Sequence, residues 1–186
     1  PTSTRYPPVT FDRAGKFGTA ANFPVDGSSS YVTVPDSVDI NKEGQDLTIP
    51  AWFQVDAFDT GWQALIAKGE GTNYRVARQG SEPFMAYAGG ASDLRGGPDV
   101  LADPEWHHLV ATTKEGGLTT LWVDGSLAQT LAEQAPDTTA SITNTNSTDP
   151  PALFIGNNPG NAARTWKGGI DDVGIWGRVL EDAEIA

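Results

Sequence analysis

Closely spaced turn signals divide this chain into short segments and restrict the folds open to it. They lie at Gly15, Asp26-Gly27, Asp59-Thr60-Gly61, Gly69-Glu70-Gly71, Gly89-Gly90, Gly96-Gly97-Pro98, Glu115-Gly116-Gly117 and between Gly156 and Gly160. Spacings of about 8 to 12 residues between such signals are typical of short strands joined by tight turns. With 21 glycines and 13 prolines in 186 residues, the chain is predicted to be all-β.

The segments between the turns alternate between two sets of residues, as strands with two different faces do. Val32 and Val34 share one side of a predicted strand, and Thr33 takes the other. A second strand over residues 118–123 runs into Asp124-Gly125, a dipeptide that suits a two-residue hairpin. The alternation therefore indicates antiparallel sheets.

Four blocks of sequence motifs follow one another along nearly the whole chain. They are residues 18–23 with 31–34, 47–53, 106–111 with 121–125, and 166–176 followed by 178–180 and 183–185. The last block reads W-K-G-G-I-D-D-V-G-I-W. In this order the blocks resemble laminin-G-like, concanavalin A-like jelly-roll domains, although Pro50 stands where serine is usual. The resemblance implies a two-sheet antiparallel β-sandwich.

Composition excludes several classes of partner and site. The formal net charge is −12, from 24 acidic and 12 basic residues, which opposes binding to a nucleic-acid backbone. The chain has no cysteine, so disulfides, thiolate metal sites and cysteine nucleophiles are excluded. No run approaches the roughly 18 to 20 apolar residues of a membrane span.

A chain of this length fits one domain with a single sizeable core. No internal repeat or linker is visible, and the polar stretch 135–151 is predicted to be a long loop. We expect residues 1–186 to form one domain. Because the chain opens at Pro1 without a methionine, we also expect it to be excised from a larger protein.

The sequence lacks the motif of a catalytic sandwich. Retaining glycosidases need two carboxyl groups about 5 to 5.5 Å apart, and concanavalin-like enzymes often supply them from one strand as E-x-D-x-x-E. No strand here carries that pattern. The nearest cluster, Glu181, Asp182 and Glu184, follows the last strand, where a solvated face is expected. The domain is predicted to be non-catalytic, and its attachment to an enzyme stays open.

The two histidines are adjacent, and this decides what they can bind. His107 and His108 point to opposite faces of one strand, so they cannot readily chelate one ion together. In the resembled family, the histidine of the W-x-H motif, which is His108 here, has a mainly structural role. His108 is therefore predicted to be packed or bonded to the backbone, and His107 to lie at the surface.

The closing strand suggests a metal site. Asp171 alternates with Val173 and Ile175, so it points inward if those two face the core. A buried carboxylate needs a cation, a basic group or several backbone amides. Many domains of the resembled type hold one calcium ion near this strand. Asp26, Asp171 and Asp172 are thus candidate ligands of a structural calcium ion, weighed equally against a metal-free carboxylate that accepts backbone amides.

The six tryptophans must be divided between core and surface. Trp52, Trp106, Trp122 and Trp176 lie in the motif blocks and are predicted to be packed. Trp62 follows a turn, so we expect an exposed indole on which a sugar ring can pack.

Further residues could border the same surface as Trp62. Strand alternation places Arg75 on one side and Tyr74 with Arg78 on the other. The candidate ligand-binding residues are Trp62, Tyr74, Arg78, Tyr87, Asn157 and Arg164. A guanidinium group suits carboxylates, sulfates or vicinal hydroxyls. The alternative is that each arginine forms a surface ion pair with one of the many carboxylates.

Three functions from different classes are consistent with these features. The first is a carbohydrate-binding module of a secreted protein that acts on polysaccharides, with a polysaccharide or oligosaccharide as partner and an extracellular or cell-surface location. The second is an adhesion or structural module that packs on a neighbouring domain without a sugar ligand. The third is a concanavalin-like glycoside hydrolase or lyase. Fold alone does not decide among them.

Overall fold

The computed structural model describes residues 8–25, 29–69, 73–134, 138–143, 152–158, 160–161 and 163–185. In these ranges the chain forms two antiparallel sheets and two one-turn helices, α1 (Leu131–Gln134) and α2 (Asp182–Ile185). None of the helices described is long and apolar enough to span a membrane. The prediction of an antiparallel two-sheet sandwich is confirmed.

The larger sheet has seven strands and contains most of the motif blocks. In spatial order its strands are β1 (Thr10–Ala14), β2 (Thr19–Phe23), β13 (Gly168–Asp171), β4 (Leu47–Val55), β9 (His107–Thr113), β10 (Thr119–Val123) and β11 (Ser126–Thr130). The smaller sheet has six strands. Their order is β3 (Val32–Val34), β12 (Leu153–Ile155), β5 (Ala64–Lys68), β6 (Tyr74–Arg78), β7 (Met85–Gly89) and β8 (Leu94–Gly96).

The hairpin predicted at Asp124-Gly125 joins β10 to β11. Both turn residues have left-handed backbones, with φ of 52° at Asp124 and 70° at Gly125. Two successive positive φ values are those of the turn that matches the twist of a two-residue hairpin. The aspartate-glycine pair therefore sets the pairing next to the turn, Val123 with Ser126 and Trp122 with Leu127, before the register shifts at Leu121.

The main core lies between the sheets and takes every second residue of most central strands; β5 is the exception, because a register shift brings both Leu65 and Ile66 into the core. Phe53 of β4 faces inward, whereas its neighbour Trp52 does not belong to the core cluster. The same division separates Tyr74 from Arg75 on β6. Trp166 is the largest fully buried side chain, and its ring meets Phe53 edge-on at 5.7 Å between centroids. The space between the two sheets is thus filled, and the outward side chains of each sheet are left for contacts with loops or ligands.

Gly156 brings the chain into the core below Trp166. Its carbonyl accepts a hydrogen bond from the Trp166 amide at 2.8 Å, and its φ of 82° is left-handed. A Cβ atom at this position would lie 2.1 Å from the Phe23 ring. Both the backbone angle and the close approach therefore require glycine.

We predict that Gly156→Ala lowers the free energy of unfolding by about 3 kcal/mol, because it combines left-handed strain with overpacking of the core. Gly44→Ala is the matched control, since Gly44 has a φ of 63° and no atom within 4 Å of an added Cβ. It should lose only about 1 kcal/mol. Urea unfolding measures both values, and equal losses would contradict the packing assigned to Gly156.

Candidate functional site

Small side chains, mostly alanines, make up much of the outer face of the six-stranded sheet. Two rows cross the strands in register: Phe154, Ala67, Arg75 and Ala88 in one, and Ala64, Ala77, Ala86 and Arg95 in the other. Ala64, Ala67 and Ala77 form a cluster separate from the main core. All the alanines of the two rows are buried, so larger groups cover them.

Trp62 and two arginines form the layer above the alanines. The guanidinium carbons of Arg75 and Arg95 lie 5.2 and 5.9 Å from the centre of the Trp62 ring. Arg75 is nearly buried and donates to the Asp93 carboxylate at 2.8 Å, whereas Arg95 is exposed. Trp62 is half-exposed, and we call these three residues the tryptophan–arginine surface.

The backbone holds Trp62 in an unusual conformation. Its φ of 62° is left-handed, which costs a residue with a Cβ roughly 1–2 kcal/mol. The Trp62 amide donates to the Gly80 carbonyl at 2.8 Å, so the neighbouring loop fixes the turn. Strain of this kind persists only where the surrounding structure determines it, and it is frequent at binding sites.

An aromatic pair lies at the other edge of the same face. Tyr31 stacks on Phe154 with 4.6 Å between ring centroids and 7° between planes, and Tyr31 is exposed. Phe154 pairs with Ala67, which in turn pairs with Arg75. Two strand spacings separate Phe154 from Arg75, or about 10 Å. The face therefore offers aromatic groups on both sides of Arg75, with Phe154 and Tyr31 on one side and Trp62 on the other.

Tyr74 and Tyr87, both predicted to bind ligand, lie in the core instead. Tyr74 donates to the Ile40 carbonyl at 2.6 Å, and the Tyr87 hydroxyl lies 2.6 Å from Oγ1 of Thr113. Burial raises the pKa of both phenols far above the usual range. The alternation along β6 was correct, but the outward side is that of Arg75.

Arg78 has a structural role in place of the predicted ligand contact. Its guanidinium donates to the carbonyls of Glu82 at 2.9 Å and Thr60 at 3.1 Å, and also to that of Ser81. Burial lowers the pKa of this nearly buried side chain. Arg78 therefore ties together the two loops that flank Trp62.

Asn157 and Arg164 belong to the segment that runs beside Ala64. Asn157 is fully buried, and its Oδ1 accepts a hydrogen bond from the Asn158 amide at 2.7 Å. This removes Asn157 from the predicted binding surface. Arg164 is half-exposed, and its carbonyl accepts from the Ala64 amide at 2.9 Å. Of the six candidate ligand-binding residues, Trp62 and Arg164 reach solvent.

The structure describes two of the three predicted metal ligands, Asp171 and Asp172. Asp26 lies outside the described residues. Asp171 is nearly buried, but β13 ends at this residue and Asp172 has a left-handed φ of 45°. The alternation with Val173 and Ile175 is therefore broken. Asp171 pairs with Trp52 and points away from the core, which corrects the inward orientation.

Backbone amides surround the Asp171 carboxylate. Its Oδ1 accepts from the Asp172 amide at 3.0 Å and its Oδ2 from the Phe17 amide at 3.4 Å. A Cβ at Gly15 would come within 2.4 Å of the same carboxylate. The described ranges contain no group of three or more histidine, cysteine or acidic side chains that could hold a metal ion. These side chains supply at most part of a calcium ligand set.

A cleft on the outer face of the seven-stranded sheet was not predicted from the sequence. Its volume is about 520 Å³, and its lining comprises Lys16, Trp52, Trp106, His108, Asp124, Gly125, Glu184 and Ile185. Trp52 and Trp106 are half-buried, although both were predicted to be packed. The same prediction fails for Trp176, which is 45% exposed, and holds only in part for the half-buried Trp122. The signal that could have revealed Trp52 and Trp106 is the alternation with Phe53 and His107, which face the other side. We call this site the outer cleft.

The prediction for His107 was wrong, and that for His108 holds only in part. His107 is buried beside Phe53, and its Nδ1 lies 2.9 Å from Oδ2 of Asp124. His108 is half-exposed and stacks on Trp52 at 4.7 Å between centroids. Burial lowers the pKa of His108, and Lys16 lowers it further against an opposite effect of Asp124.

Comparison with known proteins supports the fold. The model of the Concanavalin A-like lectin/glucanases superfamily matches residues 26–186. No curated protein matches the chain. The binding domain of Paraclostridial Mosquitocidal Protein 1 is similar, with a TM-score of 0.69 and 17% sequence identity. That match covers 95% of this chain and 44% of the other chain.

Two further solved structures contain sugars. Domain 4 of AbnA, a GH43 extracellular arabinanase from Geobacillus stearothermophilus in complex with arabinotriose, has a TM-score of 0.63 at 16% identity, covering 95% of this chain and 79% of the other. The CBM40 of Ruminococcus gnavus IT-sialidase bound to α2,3-sialyllactose has a TM-score of 0.59 at 14% identity, covering 83% and 93%. At sequence identities of 14–17%, these similarities show a shared fold and no more.

We predict that His108 titrates below its ordinary pKa of 6.5 in the folded protein, because burial penalises its charged form. Since the unfolded chain then binds the proton more readily, His108 contributes stability above pH 6.5 that is lost as the pH falls toward the folded pKa. An NMR titration of the imidazole measures the pKa. Lys16→Ala should raise it, and Lys114→Ala, at the far end of β9, should not. A wild-type pKa at or above 6.5 would contradict the assigned burial.

Proposed function

The chain belongs to the Concanavalin A-like lectin/glucanases superfamily, and from this premise we propose that it is a non-catalytic carbohydrate-binding module. Its partner would be a polysaccharide or oligosaccharide bound at the tryptophan–arginine surface. The observation that carries the proposal is the half-exposed Trp62 ring, fixed by a left-handed backbone and flanked by the guanidinium groups of Arg75 and Arg95.

The chemistry of this surface suits a sugar. The C–H face of a pyranose packs on an indole, and neighbouring polar groups bond its hydroxyls. Guanidinium groups provide planar pairs of donors for vicinal hydroxyls or for a carboxylate. Arg95 is exposed and available for this role. Tyr31 with Phe154 would extend the platform to a second ring across the sheet.

The carboxylates of the outer cleft support a non-catalytic assignment. A glycosidase needs one carboxyl group that stays protonated near neutral pH. Glu184 instead accepts two hydrogen bonds from Arg178, at 2.7 and 2.8 Å, and this lowers its pKa to about 2. Asp124 accepts from the His108 amide at 2.8 Å. Both carboxylates thus have structural partners.

The setting of the module is also part of the proposal. Sugar-bound and toxin binding domains among the similar structures favour a sugar-binding module of a secreted protein, acting outside the cell or on its surface. Neighbouring domains of a larger protein would then provide any catalysis.

We predict that Trp62→Gly weakens polysaccharide binding at least about tenfold, which is about 1.4 kcal/mol, because the indole platform is lost. Glycine is chosen because it tolerates the left-handed backbone. Affinity electrophoresis across neutral and acidic polysaccharides measures the binding. Arg95→Ala should weaken it as well.

Trp176→Ala is the matched control, because Trp176 is 45% exposed and stacks on Arg178 away from the surface. It should bind as the wild type does. If Trp62→Gly retains full affinity, sugar binding lies elsewhere. If the wild type binds no polysaccharide in the panel, an adhesion module without a sugar ligand replaces the proposal.

We propose in addition that one structural calcium ion binds near Asp171 and Asp172, with Asp26 as a further ligand. Calcium takes six to eight oxygen ligands, including backbone carbonyls. Carbonyl groups of the neighbouring hairpin between β1 and β2 would therefore complete the ligand set that the carboxylates begin. The proposal rests on the family resemblance and on the nearly buried Asp171.

Removal of calcium by a chelator should lower the melting temperature, because an ion that binds only the folded state stabilises it. Asp172→Asn should reduce this dependence, and Asp12→Asn, which removes an exposed carboxylate of β1, should not. Identical melting curves with calcium and with chelator would leave Asp171 as a metal-free carboxylate held by the amides of Phe17 and Asp172.

A further inference from the structure

The outer cleft differs from the tryptophan–arginine surface in position and chemistry. It lies on the opposite side of the sandwich, since Trp52 and His108 point outward from the seven-stranded sheet. Its volume of about 520 Å³ falls within the range of ligand pockets, about 300–1,000 Å³. A ligand here would therefore not compete with one bound at Trp62.

The aromatic residues that line the cleft are only partly covered by the rest of the protein. The α2 helix closes the neighbouring part of this face, where Ile185 and Leu180 pack with Val110 and Trp122. Trp52, Trp106 and His108 lie beyond this cluster and stay half-exposed. Rings of this size are usually buried or used for contact.

The Trp106 ring packs closely over Gly169, which has no side chain to displace it. A Cβ at Gly169 would come within 2.5 Å of the Trp106 ring and within 3.0 Å of the Arg13 guanidinium. Arg13 is itself fixed by Gln54 and by Asp56, at 3.0 and 2.6 Å. The indole thus rests on a glycine and beside a bound arginine, which gives the cleft one rigid wall.

Trp52 and His108 form the second wall. Their rings stack with 27° between planes, and the ammonium group of Lys16 lies 4.4 Å from the Trp52 ring centre. Because burial lowers the pKa of His108, its imidazole is neutral at pH 7 and can bond a hydroxyl group without carrying charge.

The charges around the rings select the ligand class. Two acidic residues, Asp124 and Glu184, line the cleft. They are matched by Lys16 in the lining and by Arg178, which pairs with Glu184. Among the residues described around the cleft, no excess charge therefore favours an anionic or a cationic ligand. Lys16 already occupies the position over Trp52 that a cationic ligand would take. A neutral polyhydroxylated ring does not need that face of Trp52, since its C–H groups can pack against Trp106 and the lining carboxylates can accept hydrogen bonds from its hydroxyls.

We propose that the outer cleft is a second binding site, which takes one neutral sugar ring of a glycan between Trp106 and the Trp52–His108 stack. The module would then hold two glycan segments on opposite faces. Two sites that engage one polysaccharide raise its overall affinity without any new contact at either site.

The experiment is an NMR titration that follows the six indole N–H signals while neutral cellopentaose, xylopentaose or mannopentaose is added. The Trp52 and Trp106 signals should shift in a saturable manner, and they should still do so in Trp62→Gly. Trp106→Ala should weaken this response about tenfold. Lys114→Ala is the control that should keep it, because Lys114 follows the end of β9 away from the cleft and pairs with Asp46.

The outcomes separate this site from the proposed function. Failure at the tryptophan–arginine surface is seen at the Trp62 signal, and failure at the outer cleft is seen at Trp52 and Trp106. Silent Trp52 and Trp106 signals with every neutral sugar would overturn the second site. Preferential shifts with tetramethylammonium, a cation, or with galacturonate, an anion, would also overturn it. The wild-type titration decides the matter even if a variant fails to fold.

Discussion

Both surfaces of this molecule depend on the burial of one shared core between two sheets. Successive strand residues face opposite sides, so once Phe53 and His107 pack inward, Trp52 and His108 must point to the outer face. Trp166, Tyr74 and Tyr87 are among the large aromatic side chains that fill the interior. Trp52 lies outside the sandwich because the alternation along β4 directs it outward.

Small side chains make the opposite face usable. The alanine rows leave space for the bulkier groups of Trp62, Arg75 and Arg95 to lie over the sheet. Arg78 ties the loops beneath the Trp62 turn through their carbonyls. The surface is thus built from small residues in the strands and large residues on rigid turns, which limits the ordering that a ligand must impose on binding.

The sequence was sufficient for the sandwich and for one anchor of the candidate site. Motif order and alternation predicted the two sheets. The turn before Trp62 suggested an exposed indole, and the structure shows a half-buried one beside Arg75 and Arg95. Alternation defines two sides of β6 without telling which faces inward, so Tyr74 was placed at the surface. It also fails where a strand ends, as at Asp171. The outward position of Trp52 depended on how the core was filled by distant residues.

A crystal structure of the chain with a bound oligosaccharide tests the central claim most directly. The account predicts a sugar ring packed on the Trp62 indole, with its hydroxyls or carboxylate within hydrogen-bonding distance of Arg75 or Arg95. A sugar bound away from the outer face of the six-stranded sheet, with the Trp62 ring left in solvent, would contradict it.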